Sequence, residues 1–180
     1  SSRALRAKHG SDCDIAESLS GLGQFLHQRA RGLASSASAA TADRGSGNPD
    51  ASDRDDARLQ QRAALLERAC TLLKESVRLR DRDGANLRPA ELAQSLCARG
   101  WLLSDLAVDE RDGALRSASP AAARDDDAQQ PKQSPRLVAD STALAVAQKF
   151  TAATRDFDRA ARLYATALGP HHPRVARALQ

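Results

Sequence analysis

Gly169-Pro170-His171-His172-Pro173-Arg174-Val175-Ala176-Arg177-Ala178-Leu179 decides how this chain is read. Gly169-Pro170 stops one helix. Pro173 can open the next, because the N–H that proline lacks has no partner in a first helical turn anyway. The phrase that follows, Val175-Ala176-Arg177-Ala178-Leu179, has three earlier counterparts: Ile15-Ala16-Glu17-Ser18-Leu19, Leu92-Ala93-Gln94-Ser95-Leu96 and Val138-Ala139-Asp140-Ser141-Thr142. Each opens a segment where apolar and small residues recur at helical spacing. A phrase returning in this way predicts stacked helical repeats, which work mainly as binding surfaces.

Composition agrees. The 180 residues are 41% apolar, but that share is mostly Ala and Leu, and aromatics make up only 3%. Strands favour Val, Ile, Thr and aromatics, so the expected class is all-α, with a core of closely packed helices. The net charge is +4. Arg78, Arg80, Arg82 and Arg88 are interrupted by Asp81 and Asp83, and stacking aromatics are scarce, so no nucleic-acid partner is expected. No apolar run approaches the ~18 residues that span a bilayer, so no membrane is expected either. Cys13, Cys70 and Cys97 are odd in number and widely spaced, which points to a reducing, cytoplasmic setting rather than a disulfide framework. A chain without Met that starts at Ser1 and stops inside a helical pattern is expected to be part (residues 1–180) of a larger array.

Residues 14–33 carry the stripe Ile15, Leu19, Leu22 and Leu26, with Asp12 or Asp14 as N-cap. Residues 34–57 are rich in Ser, Ala, Gly and Asp and are expected to form a disordered insertion. Leu59, Ala63, Leu66, Cys70, Leu73 and Val77 then form a near-heptad seam that ends at Gly84, a suitable C′ residue. Pro89 starts a helix to about Ala107, followed by a shorter piece at 109–117. A second disordered insertion is expected at 118–134. Residues 136–154 form a helix broken near Arg155-Asp156, and 157–168 form its partner.

The junction Leu168-Gly169-Pro170-His171-His172-Pro173-Arg174-Val175-Ala176 resembles that of tetratricopeptide (TPR) repeats, in the longer form of kinesin light chains and nephrocystin-like proteins. Arg88-Pro89-Ala90-Glu91-Leu92-Ala93 is a degenerate copy, and Ala4–Gly10 looks like the tail of a preceding second helix. Second helices of that family carry small, large and small residues at 0, +4 and +7. Ala160, Tyr164 and Ala167 fit this well, Ala69, Leu73 and Ser76 loosely, and Ala114, Ala118 and Ala121 only in being small. The phrases lie 77, 46 and 37 residues apart, counted from 15 to 92, 138 and 175. The resemblance implies a right-handed α-solenoid of antiparallel helix pairs with two disordered insertions.

It also implies a protein-interaction scaffold that binds a partner peptide or helix along its first helices. Groove-facing candidates are Ser20, Gly21 and Gln24, then Cys97, Ala98 and Trp101, then Ala143, Leu144 and Ala147. The family often places paired Asn just after Ser-Leu. Here Ser20-Gly21, Cys97-Ala98 and Ala143-Leu144 stand there instead, so a shallower, more apolar groove is expected, suited to a helical or hydrophobic segment rather than an extended acidic peptide. The alternative is a structural segment with weak self-association through the Leu59–Val77 seam. No enzyme, metal site or cofactor is expected. His171 and His172 are adjacent and diverge, His9 with Cys13 has no second ligand pair, and Asp125-Asp126-Asp127 lacks the spacing of a calcium loop.

Overall fold

The computed structural model describes the backbone of residues 2–41, 50–82, 88–117 and 135–180, and the side chains of residues 12–34, 57–82, 88–115 and 140–180. Among the described residues there are five helices and no strand: α1 (Ser2–Thr41), α2 (Asp50–Arg82), α3 (Pro89–Ser117), α4 (Pro135–Leu168) and α5 (Pro173–Ala178). The all-α expectation therefore holds, but the helices are longer and fewer than the sequence suggests. α1 begins at Ser2, so Asp12 and Asp14 lie inside it rather than capping it, and Ala4–Gly10 is no separate helix. α1 runs to Thr41 and α2 starts at Asp50, so both ends of the 34–57 tract are helical. Its Ala-rich start explains this on one side, since Ala is the best helix former. Residues 42–49 and 118–134, together with Gly84, lie outside the described residues.

Two expected breaks are absent. α3 passes through 107–109 and α4 passes through Arg155-Asp156 without interruption. The polar residues taken for breaks face neighbouring helices. Asp109 pairs with Arg62 of α2 at 2.7 Å. Asp156 accepts from Nε and Nη2 of Arg99, both at 2.6 Å. Residues 138–168 are thus not a helix pair of their own, and Val138 does not open a unit. The phrase starts at 15, 92 and 175 fall on α1, α3 and α5, at intervals of 77 and 83 residues.

The four long helices pack in two pairs. α1 packs mainly on α2 and α3 mainly on α4, and α2 joins one pair to the other. Arg99 meets Asp156 while Glu110 meets Lys149 at 2.5 Å, so numbering falls along α4 as it rises along α3. Between α1 and α3 it rises together, from Ser20 with Ser95 to His27 with Asp105. Each pair closes on a glycine 77 residues from the other. A Cβ at Gly23 would lie 2.8 Å from Cγ of Leu73, and one at Gly100 would lie 2.8 Å from Cε1 and Cζ of Phe157. In each pair, the missing side chain lets a large residue of one helix reach the backbone of the other.

Two apolar clusters make the core. Leu26, Ala30, Leu66, Ala69, Leu73 and Leu102 join α1, α2 and α3. Val77, Leu92, Leu96, Ala160, Ala161, Tyr164 and Ala178 join α2 to α5. The seam from Leu66 to Val77 is therefore covered within the chain, and only Leu59 and Ala63 at its start are exposed. The expected small-large-small positions Ala69, Leu73 and Ser76 are all fully buried; Ala160 and Tyr164 are buried, while Ala167 is exposed. At the last junction Gly169 takes φ 95, the left-handed region where glycine bears no Cβ penalty. His172 then caps α5, its Nδ1 accepting from the Arg174 N–H at 3.2 Å.

Candidate functional site: a groove along the first helices

α1, α3 and α5 border a groove of about 610 Å³. Gln24, His27, Gln28 and Arg31 come from α1, where steps of three or four keep them on one face. Gln94, Cys97, Ala98, Trp101 and Asp105 come from α3, and Arg174, Arg177 and Ala178 from α5, with Tyr164 of α4 at the bottom. A smaller hollow of about 310 Å³ lies between α2, α3 and α4, but its Arg99 and Lys149 are engaged with Asp156 and Glu110.

The expected site residues divide. Gln24, Cys97 and Trp101 line the groove, as does Ala98. Ser20 does not. It is buried beneath the groove and accepts from Nε2 of Gln24 at 3.1 Å. Ala143 and Ala147 are exposed on α4, away from the groove, as is Leu144. They were assigned on the premise that a first helix starts at Val138, and none does. Trp101 has a double position: its ring meets Phe157 edge-on at 5.2 Å between centroids, yet 46% of the residue stays exposed to the groove. The sequence reading missed Arg31, Arg174, Arg177, Gln28, Gln94 and Tyr164. The signal was present, because Gln24, Gln28 and Arg31 repeat at helical spacing beside the apolar stripe.

The groove is more polar than expected. Arg174 lies over the Tyr164 ring, 5.9 Å from its centroid, and Arg177 makes no ion pair among the described residues. Burial raises the Tyr164 hydroxyl pKa above its usual value. Burial, reinforced by the nearby Asp156 charge, pushes the Cys97 thiol up to about 11, so it is neutral at physiological pH and a poor nucleophile.

Beneath the groove, polar contacts lock α1, α2 and α3 together. Ser76 donates to the Ala16 carbonyl at 2.8 Å, and Ser95 reaches Ser76 at 3.2 Å and Ser20 at 3.3 Å. Nη1 of the buried Arg80 donates to Ser95 and to the Glu91 carbonyl, both at 2.6 Å. Nearer the far end, Nε2 of His27 meets Asp105 at 2.7 Å, with Arg31 3.7 Å from the same carboxylate. The His27 hydrogen bond holds the Asp105 carboxyl below its ordinary 3.8 despite partial burial.

That lowered pKa has a definite sign in stability. Its contribution is complete above the unfolded value near ~3.9 and is lost as pH falls through the folded value. Asp105→Asn is therefore expected to flatten the decline in stability below about pH 4, measured as urea midpoints across pH. Parallel declines in both proteins would remove this pair from the account.

No protein family, curated protein or solved structure matches the chain. Among the described residues there is no cluster of three or more metal-ligating side chains, and no helix is long and apolar enough to cross a membrane.

Proposed function

We propose that this chain is a protein-interaction scaffold, a stretch of TPR-like right-handed solenoid similar to those of kinesin light chains, whose groove receives a segment of a partner protein. The observation that carries this reading is the convergence of α1, α3 and α5, the helices that bear the recurring phrase, on one groove with a half-exposed Trp at its centre. Opposite numbering directions along α3 and α4 support antiparallel pairing. Cys13, Cys70 and Cys97 form no disulfide among the described residues, which suits a reducing, cytoplasmic setting.

The partner chemistry differs from the sequence expectation. Arg174 and Arg177 give the groove two cationic heads, while Asp105 is engaged by His27 and Arg31. Such a wall favours carboxylates, steers them by charge, and offers Trp101 as an apolar anchor. The competing idea of a self-associating seam loses its surface, since Leu66–Val77 is buried inside the chain.

A displayed library of random 15-residue peptides, selected against the chain, tests the reading. Selected peptides are expected to carry Asp or Glu beside a large apolar residue. Their affinity is expected to fall about tenfold or more with Trp101→Ala and with Arg174→Ala plus Arg177→Ala, the second loss shrinking in salt. Selected peptides indifferent to both changes, in chains of unchanged helicity, would sink it.

A further inference from the structure

The corner of the groove formed by α5 and Tyr164 holds hydrogen-bond donors without an acidic partner. Arg174 and Arg177, one turn apart on α5, both line the groove and both are exposed. Neither pairs with a carboxylate among the described residues. The nearby acidic groups are already engaged, Asp156 by Arg99 and Asp105 by His27 and Arg31. Beside the arginines stands Tyr164, which is 5% exposed and lines the groove from below. Its hydroxyl has no hydrogen-bond partner among the described residues. Two neighbouring cations would draw the proton from a phenol, but burial outweighs them and raises its pKa. The hydroxyl therefore stays a donor. Arg174 lies over the ring, 5.9 Å from its centroid, a placement that leaves the N–H edge of the guanidinium open. Buried polar groups almost always have a partner, so an unpaired hydroxyl beside two unpaired arginines marks a place for an anionic acceptor.

We propose that Arg174, Arg177 and the Tyr164 hydroxyl bind a phosphorylated serine or threonine of the partner segment. This rests on the reading of the groove as a partner-binding surface and makes that binding dependent on modification of the partner. A carboxylate brings one negative charge and two oxygens. A phosphomonoester brings a charge of roughly −1.5 to −2 and three strong acceptor oxygens. Two unpaired guanidinium groups match that charge, and their N–H forks together with the phenol O–H supply a donor for each oxygen. The rest of the groove indicates a peptide as the carrier. Its unpaired positive charge is confined to this corner among the described residues, whereas a nucleic-acid backbone is met by a stripe of charge. Gln24, Gln28 and Gln94 offer amides to a peptide backbone, and Trp101 offers an apolar anchor beside the phosphate.

The test passes degenerate peptide libraries over the immobilised chain, identical except for a central residue fixed as phosphoserine, glutamate or serine. Retained peptides are counted by mass spectrometry. The phosphoserine library is expected to be retained about tenfold more than the glutamate library, and the serine library least. Arg174→Gln with Arg177→Gln should abolish the phosphoserine advantage in a chain of unchanged helicity. Tyr164→Phe, which keeps the ring, should cost the phosphoserine library about fivefold. Equal retention of the phosphoserine and glutamate libraries overturns this proposal and leaves the groove reading standing. A phosphoserine advantage that survives loss of both arginines also overturns it, since the phosphate then sits elsewhere. Retention of no library removes the groove reading as well. Binding to vesicles containing a phosphorylated inositol lipid, lost with the same arginines and unmatched by the phosphoserine library, overturns the proposal because the phosphate is then a lipid's.

Discussion

Asp156→Ala is expected to destabilise the chain by about 3 kcal/mol, read as a lower urea midpoint with unchanged slope. Asp156 is 6% exposed and holds Arg99 by two parallel hydrogen bonds between α4 and α3. Removing the carboxylate leaves a guanidinium largely out of water without its counter-charge. That desolvation, more than the lost attraction, sets the cost. Arg99 retains some solvent access, which keeps the figure at the low end of the ~3–5 kcal/mol range for buried pairs. The discriminating variant is the double change Arg99→Met with Asp156→Leu, which removes both charges and fills the space. It should recover most of the loss. If the double variant is as unstable as the single one, packing around Phe157 rather than the ion pair governs this site.

A second large effect belongs to Leu73. Its side chain is fully buried and rests on the bare backbone at Gly23. Leu73→Ala removes that packing and leaves a cavity at the α1–α2 contact, costing about 3 kcal/mol, or roughly 6–12 °C in thermal midpoint. The informative partner is Gly23→Ala. In the original chain its Cβ collides with Leu73 and opposes the gain of about 1 kcal/mol that Ala brings to a helix interior. In the Leu73→Ala background the obstruction is gone and the same change should stabilise. A sign change for one substitution across two backgrounds is a strong signature of direct contact. Two additive effects would mean that the glycine is not there to admit the leucine.

The sequence reading and the structure part at identifiable residues. Helical spacing located Leu66, Leu73, Leu92 and Leu96, all of them core, because hydrophobic period is a local property. Polar residues misled. Asp109 and Asp156 look like helix ends in a linear reading, but each is bonded across to an arginine 47 or 57 positions away, which no local pattern reveals. Counting Val138–Thr142 as a copy of the phrase makes it the start of a unit and assigns Ala143 and Ala147 to a groove they do not line. Of the residues lining the groove, Gln24, Cys97 and Trp101 are legible in the sequence because they follow the phrase at fixed offsets. Arg174 and Arg177 were passed over because their neighbours in space, Tyr164 and Cys97, come from other helices.

Gly23 and Gly100 stand 77 residues apart on helices that run in the same sense, and each meets its neighbouring helix at the level of the backbone. The two act as pins of one gauge: the gap between α1 and α2, and that between α3 and α4, is fixed by an atom that is missing rather than by one that is packed. A side chain at either pin would wedge its own pair apart and leave the other at its original spacing.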